Sequence, residues 1–290
     1  MSPTSTLSGW LVLIFGWVGV TSFRLSPTII RRPRSTIATE KSMEISSSVI
    51  ISGITADTSA WKCLCPGVLD KARGPDVVWQ WSKDILDSQA TEQVARQVAC
   101  NMLAKLSPSP LPSEMVTTLA ASLQSFMDFC RNHLESDQIT GYRARIVATR
   151  GEKASTKCPT WHQDHVPVRW IQSLYGPGVQ WVTDAASMPE GMCAGAVKTD
   201  DEDSHADIIH ESVEDINARR VNSTVPIRQA LPGQGVMLVG KTWSEFCRPS
   251  AGNNEALPAV VHKSPSGLMP WEGRVLLTMD VVTNECGHFT

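Results

Sequence analysis

Charge of one sign is what this sequence most lacks. Its 26 Lys and Arg fall short of its 29 Asp and Glu, a net charge of −3 over 290 residues. No basic surplus is left to hold a polyanion, so nucleic acid is not an expected partner. Charged residues make up 19% and hydrophobic ones 42%, a globular balance that excludes a fibrous or wholly disordered chain. No apolar run approaches the roughly 20 residues a spanning helix needs, so no integral membrane span is expected in the mature chain. Tyrosine is scarce, two against ten tryptophans. The eight cysteines, at 63, 65, 100, 130, 158, 193, 247 and 286, form no C-x-x-C pair, which argues against a zinc ribbon or a thioredoxin-type site. Their spacing has no disulfide framework and predicts ordinary thiols in a reducing compartment, with Cys63-Leu64-Cys65 a weak soft-metal pair.

The amino terminus reads as a targeting presequence over 1–39. Gly9 to Val20 is a run of twelve apolar residues, the length of a signal-peptide core. Phe23 follows, then a Ser- and Thr-bearing tract with Arg24, Arg31, Arg32 and Arg34 and no acid before Glu40. That tract has transit-peptide composition. The pair resembles the bipartite presequence of algae with secondary plastids, and plastid import is the expected destination, secretion the alternative. A fluorescent fusion to residues 1–39 should reach the plastid interior, and its appearance in the medium would refute the plastid reading.

Residues 40–75 are Ser-rich, carry Pro66 and Gly74-Pro75, and are expected to be an irregular lead-in. A helical segment is expected over 76–140. Val94, Val98, Met102 and Leu106 recur every four residues until Ser107-Pro108, which predicts that 76–106 is helical after a short apolar start. A second helix is predicted from Ser113, as N-cap, to Leu134, with Leu119, Leu123, Phe126, Met127 and Cys130 on its apolar face. From Gly141 the pattern changes to short β-type runs at 142–149, 168–175, 179–182, 235–240, 259–262 and 274–282, broken by Gly and Pro. The expected class is α+β: a double-stranded β-helix, jelly-roll or cupin-like, over 141–290, preceded by two helices. Residues 198–220, with eight acids against three bases, read as a solvated acidic insertion, partly helical after Asp207.

Chemistry starts at Trp161-His162-Gln163-Asp164. Residues i and i+2 of a strand share a face, so His162 and Asp164 can present an imidazole and a carboxylate side by side. His262, ending the run Ala259-Val260-Val261, is the natural third ligand of a two-His-one-carboxylate face, the arrangement of non-haem Fe(II) oxygenases. Twelve residues on, Arg274 opens an apolar strand, where a guanidinium could hold the distal carboxylate of 2-oxoglutarate through two hydrogen bonds. With seven His in the chain, chance alone supplies about 0.4 H-x-D matches. A second match, His205-Ala206-Asp207 with His210 nearby, lies in the acidic stretch without an apolar frame and is set aside. His165 is out of phase with the pair. Arg169, Tyr175 and Lys241 are candidate pocket residues, Arg169 equally a structural partner for an acid. Asp280 is expected to cap or pair at a strand end. Trp161, Trp170, Trp181, Trp243 and Trp271 are expected to wall the site and keep it dry.

A resemblance appears at the same residues. The blocks CPTWHQDHVPVRWIQSLYGPGVQWV (158–182), GQGVMLVGKTW (233–243), VHKSP (261–265) and GRVLLTMD (273–280) resemble those of domain-of-unknown-function family 1826, over about 140–282 and more weakly from about 76. The family pattern has an aromatic-His-x-Asp, a Gly-Pro-Gly turn, a Lys-Gly-Glu-like turn, His-Arg-Ser-Pro and a closing Arg-x-x-Leu-x-x-Asp. Here Lys263 replaces the Arg and Thr242 stands at the acid of the turn, so neither position is assigned a role. The resemblance implies a site location without naming a reaction. More distantly, the H-x-D…H…R layout resembles the Fe(II)/2-oxoglutarate oxygenase superfamily. That implies one metal, Fe(II) with Zn2+ or Mn2+ as alternatives, 2-oxoglutarate as cosubstrate, and a small-molecule substrate. The expected function is therefore a dioxygenase-like oxidoreductase. The other readings are a non-catalytic metal-binding protein in zinc or iron handling, and a cupin-like hydrolase or isomerase using its metal as a Lewis acid.

Overall fold

The computed structural model describes residues 47–65, 73–107, 111–151, 158–182, 212–221, 223–248, 257–266, 268–269 and 272–283. The presequence expected at 1–39, the His205-Ala206-Asp207 motif with His210, and Trp271 lie outside them. Among the described residues no helix is long and apolar enough to cross a membrane, and the described cysteines, Cys63, Cys65, Cys100, Cys130, Cys158 and Cys247, are unpaired thiols.

The protein is a mixed α+β structure with two antiparallel sheets. Strands β1 (Val49–Thr55), β2 (Arg73–Ser82), β3 (Ile139–Arg150), β4 (Val168–Tyr175), β7 (Gln234–Val239) and β9 (Gly273–Thr283) form the larger one, in the order β1-β7-β4-β9-β3-β2. Strands β5 (Gln180–Val182), β6 (Ile227–Gln229) and β8 (His262–Lys263) form the smaller one, in the order β6-β5-β8. The described α-helices are α1 (Thr58–Trp61), α2 (Asp84–Ser88), α3 (Thr91–Leu106), α4 (Ser113–His133), α5 (Val213–Arg220) and α6 (Trp243–Phe246).

The period-2 alternation of the central strands separates two faces. On β9, Val275, Leu277, Met279 and Val281 are buried and alternate with half-buried Leu276, Thr278 and Asp280. The buried set, with Ala144, Ile146 and Ala148 of β3 and Trp170 and Leu174 of β4, joins the main core with Val94, Val98 and Met102 of α3 and Leu119, Leu123 and Phe126 of α4. Both helices show the i, i+3, i+4 apolar stripe that packing onto a sheet requires. Each large side chain so buried contributes about 1.5–3 kcal/mol. Two contacts fix the register of the helix layer: Phe126 meets Tyr142 edge-to-face with ring centroids 6.3 Å apart, and the buried Ser122 Oγ donates to Gln172 Oε1 at 2.7 Å. Gly235 is required where β7 passes Trp170, because a Cβ there would meet the indole ring. The other face of the sheet, carrying the remaining residues of each alternation, looks toward β8.

Two expectations are corrected. The helices do not precede the β structure: β1 lies inside the expected lead-in and β2 occupies 73–82, the start of the expected first helix, so α3 and α4 are inserted between strands of one sheet. Ser113 is the first helical residue rather than the cap, a place taken by Pro112, while Glu114 at one end and Arg131 and His133 at the other complement the helix dipole. The helix expected after Asp207 is α5, which has no fully buried residue, and it also holds a neighbouring segment. Ser212 caps α5, accepting from the Asp215 N–H at 3.1 Å, and that helix grips the chain leading into His162. Trp161 N donates to Asn217 Oδ1 at 2.8 Å, and Arg220 Nη1 to the Trp161 carbonyl at 2.7 Å.

Candidate metal centre

His162 and His262 stand 100 positions apart in sequence and face each other in space. They form an antiparallel bridge in which each backbone N–H donates to the other's carbonyl, at 3.0 and 2.9 Å. Their rings approach to 4.4 Å between centroids. His262 is held in register by β8, where it pairs with Trp181 of β5. Asp164 follows His162 by two residues and turns its carboxylate to the same point. His262 Nε2 lies 3.1 Å from Asp164 Oδ2 and His162 Nε2 lies 3.7 Å from Asp164 Oδ1. One donor atom from each of the three residues falls within 4.8 Å of the other two.

The chemistry of this donor set fits a cation. The His162 Nδ1 lies 2.8 Å from the Thr160 carbonyl and the His262 Nδ1 lies 3.2 Å from that of Val260. A carbonyl only accepts, so both Nδ1 atoms carry the proton, and in each neutral ring Nε2 is a bare lone pair. Asp164 Oδ2 is buried without a hydrogen-bond donor. Three acceptors thus converge, an arrangement that is repulsive unless a proton or a cation lies between them. Ligands at adjacent positions of an ion with bonds of 2.0–2.2 Å sit about 3 Å apart, near the 3.1 and 3.7 Å from the carboxylate to the two rings. Burial pushes the Asp164 carboxyl up, but when the rings take a second proton instead of a metal, His262 as charge and donor, with Arg169 and His162, outweighs burial and holds the group well below the usual carboxylate range.

The carboxylate is positioned from behind. Arg169 Nη1 donates to Asp164 Oδ1 at 2.7 Å, and the same guanidinium forks onto Asp280 through Nε at 2.6 Å and Nη2 at 3.1 Å. Arg169 is opposite Asp280 in the β4–β9 register, so the pairing expected of Asp280 is with this arginine. Burial disfavours its charge, but Asp280 and Asp164 more than compensate and raise its pKa. Arg169 therefore fixes the direction of the Asp164 carboxylate.

These groups open into a cavity of about 210 Å³ between the two sheets, walled by His162, His262, Arg169 and Arg274 among others. Arg274 is 2% exposed and, among the described residues, hydrogen-bonded only to hydroxyls, Nε to Ser173 Oγ at 3.2 Å and Nη1 to Ser264 Oγ at 3.0 Å. Among the described residues it has no carboxylate partner. Burial pulls its guanidinium down to about 10, with Cys158 pushing the other way.

Tyr175 and Lys241, candidates for the pocket, are not among its described lining. The pairing of β4 with β9 shifts between Ser173 and Tyr175, and Tyr175 packs against the main core instead. Lys241 sits in the turn after β7, its backbone N–H donating to the Asp164 carbonyl at 2.9 Å. Trp161, Trp170, Trp181 and Trp243 are core residues rather than walls of the cavity. Sequence reasoning missed Arg143, Arg145 and Cys158, all on the cavity wall. The alternation Arg143, Arg145, Val147 in the predicted strand was the available signal for the two arginines. Cys158 has φ +56°, the left-handed region that non-glycine residues rarely adopt. Its thiol is pulled down by His162 while burial works against that.

Among solved structures, the chain resembles a dioxygenase for auxin oxidation from Arabidopsis thaliana, in its 2-oxoglutarate complex, at 10% identity and a TM-score of 0.37, over 76% of this chain and 66% of that one. It also resembles the dioxygenase for auxin oxidation of rice, at 12% identity and a TM-score of 0.35, over 78% and 64%. The chain thus spans just under two thirds of the length of these structures. No curated protein matches it. The sequence pattern of the family described as protein of unknown function (DUF1826) matches residues 86–280. All four motif blocks and every residue of the candidate centre fall inside that match, and the chain belongs to the DUF1826 family.

Proposed function

We propose that this protein is a metal-dependent oxidoreductase of the non-haem Fe(II)/2-oxoglutarate type, its sheets a form of the double-stranded β-helix and its substrate a small molecule. The observation that carries the reading is a single cavity walled by His162 and His262, whose lone pairs converge with the Asp164 carboxylate beside it, and by a buried guanidinium with no acid partner among the described residues. A buried cation without a counter-charge is costly, and a carboxylate entering the cavity would relieve it. Iron held by His162, Asp164 and His262 would supply the redox chemistry with dioxygen, Zn2+ or Mn2+ being the alternatives at the same ligands. Arg274 would hold the distal carboxylate of 2-oxoglutarate, its fork aimed by Ser173 and Ser264. The burial of that end would keep the ion pair dry, where it is strongest.

The experiment is calorimetric titration of 2-oxoglutarate into the anaerobic Fe(II) protein. Wild type is expected to bind, and Arg274→Ala to lose on the order of 2–3 kcal/mol of that binding, the worth of charge-assisted hydrogen bonds, with its metal content unchanged. Iron-dependent release of succinate from 2-oxoglutarate should follow in the wild type. A second reading, a metal-binding protein without catalysis, is favoured by one observation: Arg274 already ties β4 to the segment after β8 through two serines, which is a structural use. No binding of 2-oxoglutarate by the wild type would select that reading.

A further inference from the structure

The cavity carries more positive charge than a metal centre and its cosubstrate use. Arg143, Arg145, Arg169 and Arg274 all line it. Against them stand Asp280 and Asp164, both on Arg169, and Asp76, which takes Arg145 in a two-pronged pair at 2.8 and 2.6 Å. Among the described residues, four guanidinium groups against three carboxylates leave one positive charge. A divalent ion raises that excess and a 2-oxoglutarate dianion returns it to one, so among the described residues a single cation remains without a counter-charge.

The register identifies it. Arg143 of β3, Asp280 of β9 and Arg169 of β4 lie in one row across the sheet, Asp280 paired with each in turn. Asp280 spends both oxygens on Arg169, and Arg143 has no carboxylate partner among the described residues. Two strand spacings put the Arg143 backbone about 10 Å from that of Arg169, which touches the Asp164 ligand. Arg143 and Arg145, two apart on β3, share the cavity face. They mark its open end: the Arg145 side chain is 34% exposed and Arg143 is half-buried, whereas Arg274 is 2% exposed. A cavity of about 210 Å³ is smaller than the roughly 300–1,000 Å³ of drug-sized sites, so the occupant is small.

We infer that Arg143, with Arg145 beside it, docks the anionic group of the substrate, a small organic acid whose carboxylate or phosphate binds at the open end and whose remainder reaches toward His162, Asp164 and His262. The inference rests on the proposed function, which gives that cavity its metal and cosubstrate. A guanidinium fork matches the two oxygens of such a group. Arg143 is free to turn its fork to a ligand, while Asp76 keeps Arg145 fixed as a wall of positive charge.

The test uses the full protein loaded with Mn(II) and 2-oxoglutarate. The probes are benzoate, butyrate and phenyl phosphate, each against a neutral counterpart (benzamide, butyramide and phenol), followed by paramagnetic broadening of the probe's own NMR signals at millimolar concentration. The anions are expected to broaden and the neutral molecules not. Arg143→Gln should weaken the anions about tenfold, the worth of one charge-assisted contact, with Mn(II) content and 2-oxoglutarate affinity unchanged. Arg143→Lys, which keeps the charge and loses the fork, should fall between. Equal broadening by the neutral probes, no broadening by any anion, or an Arg143→Gln protein that holds anions as wild type does would each overturn the inference. The carboxylate and phosphate arms tell which group the site prefers. A protein that takes up no Mn(II) overturns the proposed function instead, and the same probes are then read by saturation transfer on the metal-free protein, where the preference for anions and its dependence on Arg143 must still appear.

Discussion

Replacing His262 by alanine is expected to leave the purified protein without its equivalent of divalent metal. Two of the three ligand atoms would remain, and a site of one imidazole and one carboxylate cannot compete with water for an ion of this kind at ordinary concentrations. The surrounding fold should persist, because the bridge that joins positions 162 and 262 is made by main-chain N–H and carbonyl groups and survives loss of the ring. The ring is 3% exposed, so its removal leaves a small void and some loss of stability, and metal content by elemental analysis is the deciding readout. Thermal unfolding gives the second. A ligand that binds only the folded state adds about 2.7 kcal/mol at a hundredfold excess over Kd, so wild type should gain stability with added metal and His262→Ala should not. His205→Ala is the control and should keep its metal. A His262→Ala protein with a full equivalent of metal would show that the three residues do not form the site.

How much of this was legible in the sequence follows from where each element sits in the sheet. The central strands announced themselves: the expected run 168–175 coincides with β4, and the runs at 142–149, 235–240 and 274–282 lie within a few residues of β3, β7 and β9. These strands are buried on one face against α3 and α4, which imposes dense Val, Ile and Leu alternation. The two strands of this sheet that were missed, β1 and β2, are its edges. An edge strand needs less apolar surface, and Ser52 and Gly53 in β1 or Asp76 and Gln80 in β2 diluted the pattern. The four-residue period from Val94 to Leu106 is real, but its extension back to 76 overran the strand. Of the candidate site, the triad residues and Arg274 could be named because each stands in a recognisable spacing. The link from Arg169 to both Asp164 and Asp280 could not, since it depends on β4 lying beside β9, a pairing between segments about 110 positions apart that no local pattern encodes. Arg143 was hidden for the same reason: that it has no carboxylate partner among the described residues is a property of the row it shares with Asp280.

That row makes Arg169 the residue at which fold and site are tied, and Arg169→Met should damage both. In the folded protein the guanidinium joins Asp280 on β9 to Asp164 at the candidate centre. Removing it leaves two carboxylates, with side chains 20% and 10% exposed, without their counter-charge. Breaking a buried pair from one side costs about 3–5 kcal/mol, and because the Arg169 side chain keeps a quarter of its exposure the expected loss lies at the lower end, about 3 kcal/mol, read by denaturant unfolding of the metal-free protein. Metal affinity should fall by a further 10- to 100-fold, the usual effect of losing a group that orients a ligand. The two effects separate in the double variant Arg169→Met with Asp280→Leu. Converting Asp280 removes one of the stranded carboxylates, and replacing a buried ion pair by apolar groups of similar size is often neutral, so much of the lost stability should return. Metal affinity should not, because Asp164 Oδ1 still lacks the Nη1 donor that fixes its direction. If affinity recovers together with stability, Arg169 serves the fold alone. If the single variant is as stable as wild type, the bridge between Asp164 and Asp280 is a contact without consequence. Recovery of stability with affinity still depressed is the result expected of a residue that aims a metal ligand.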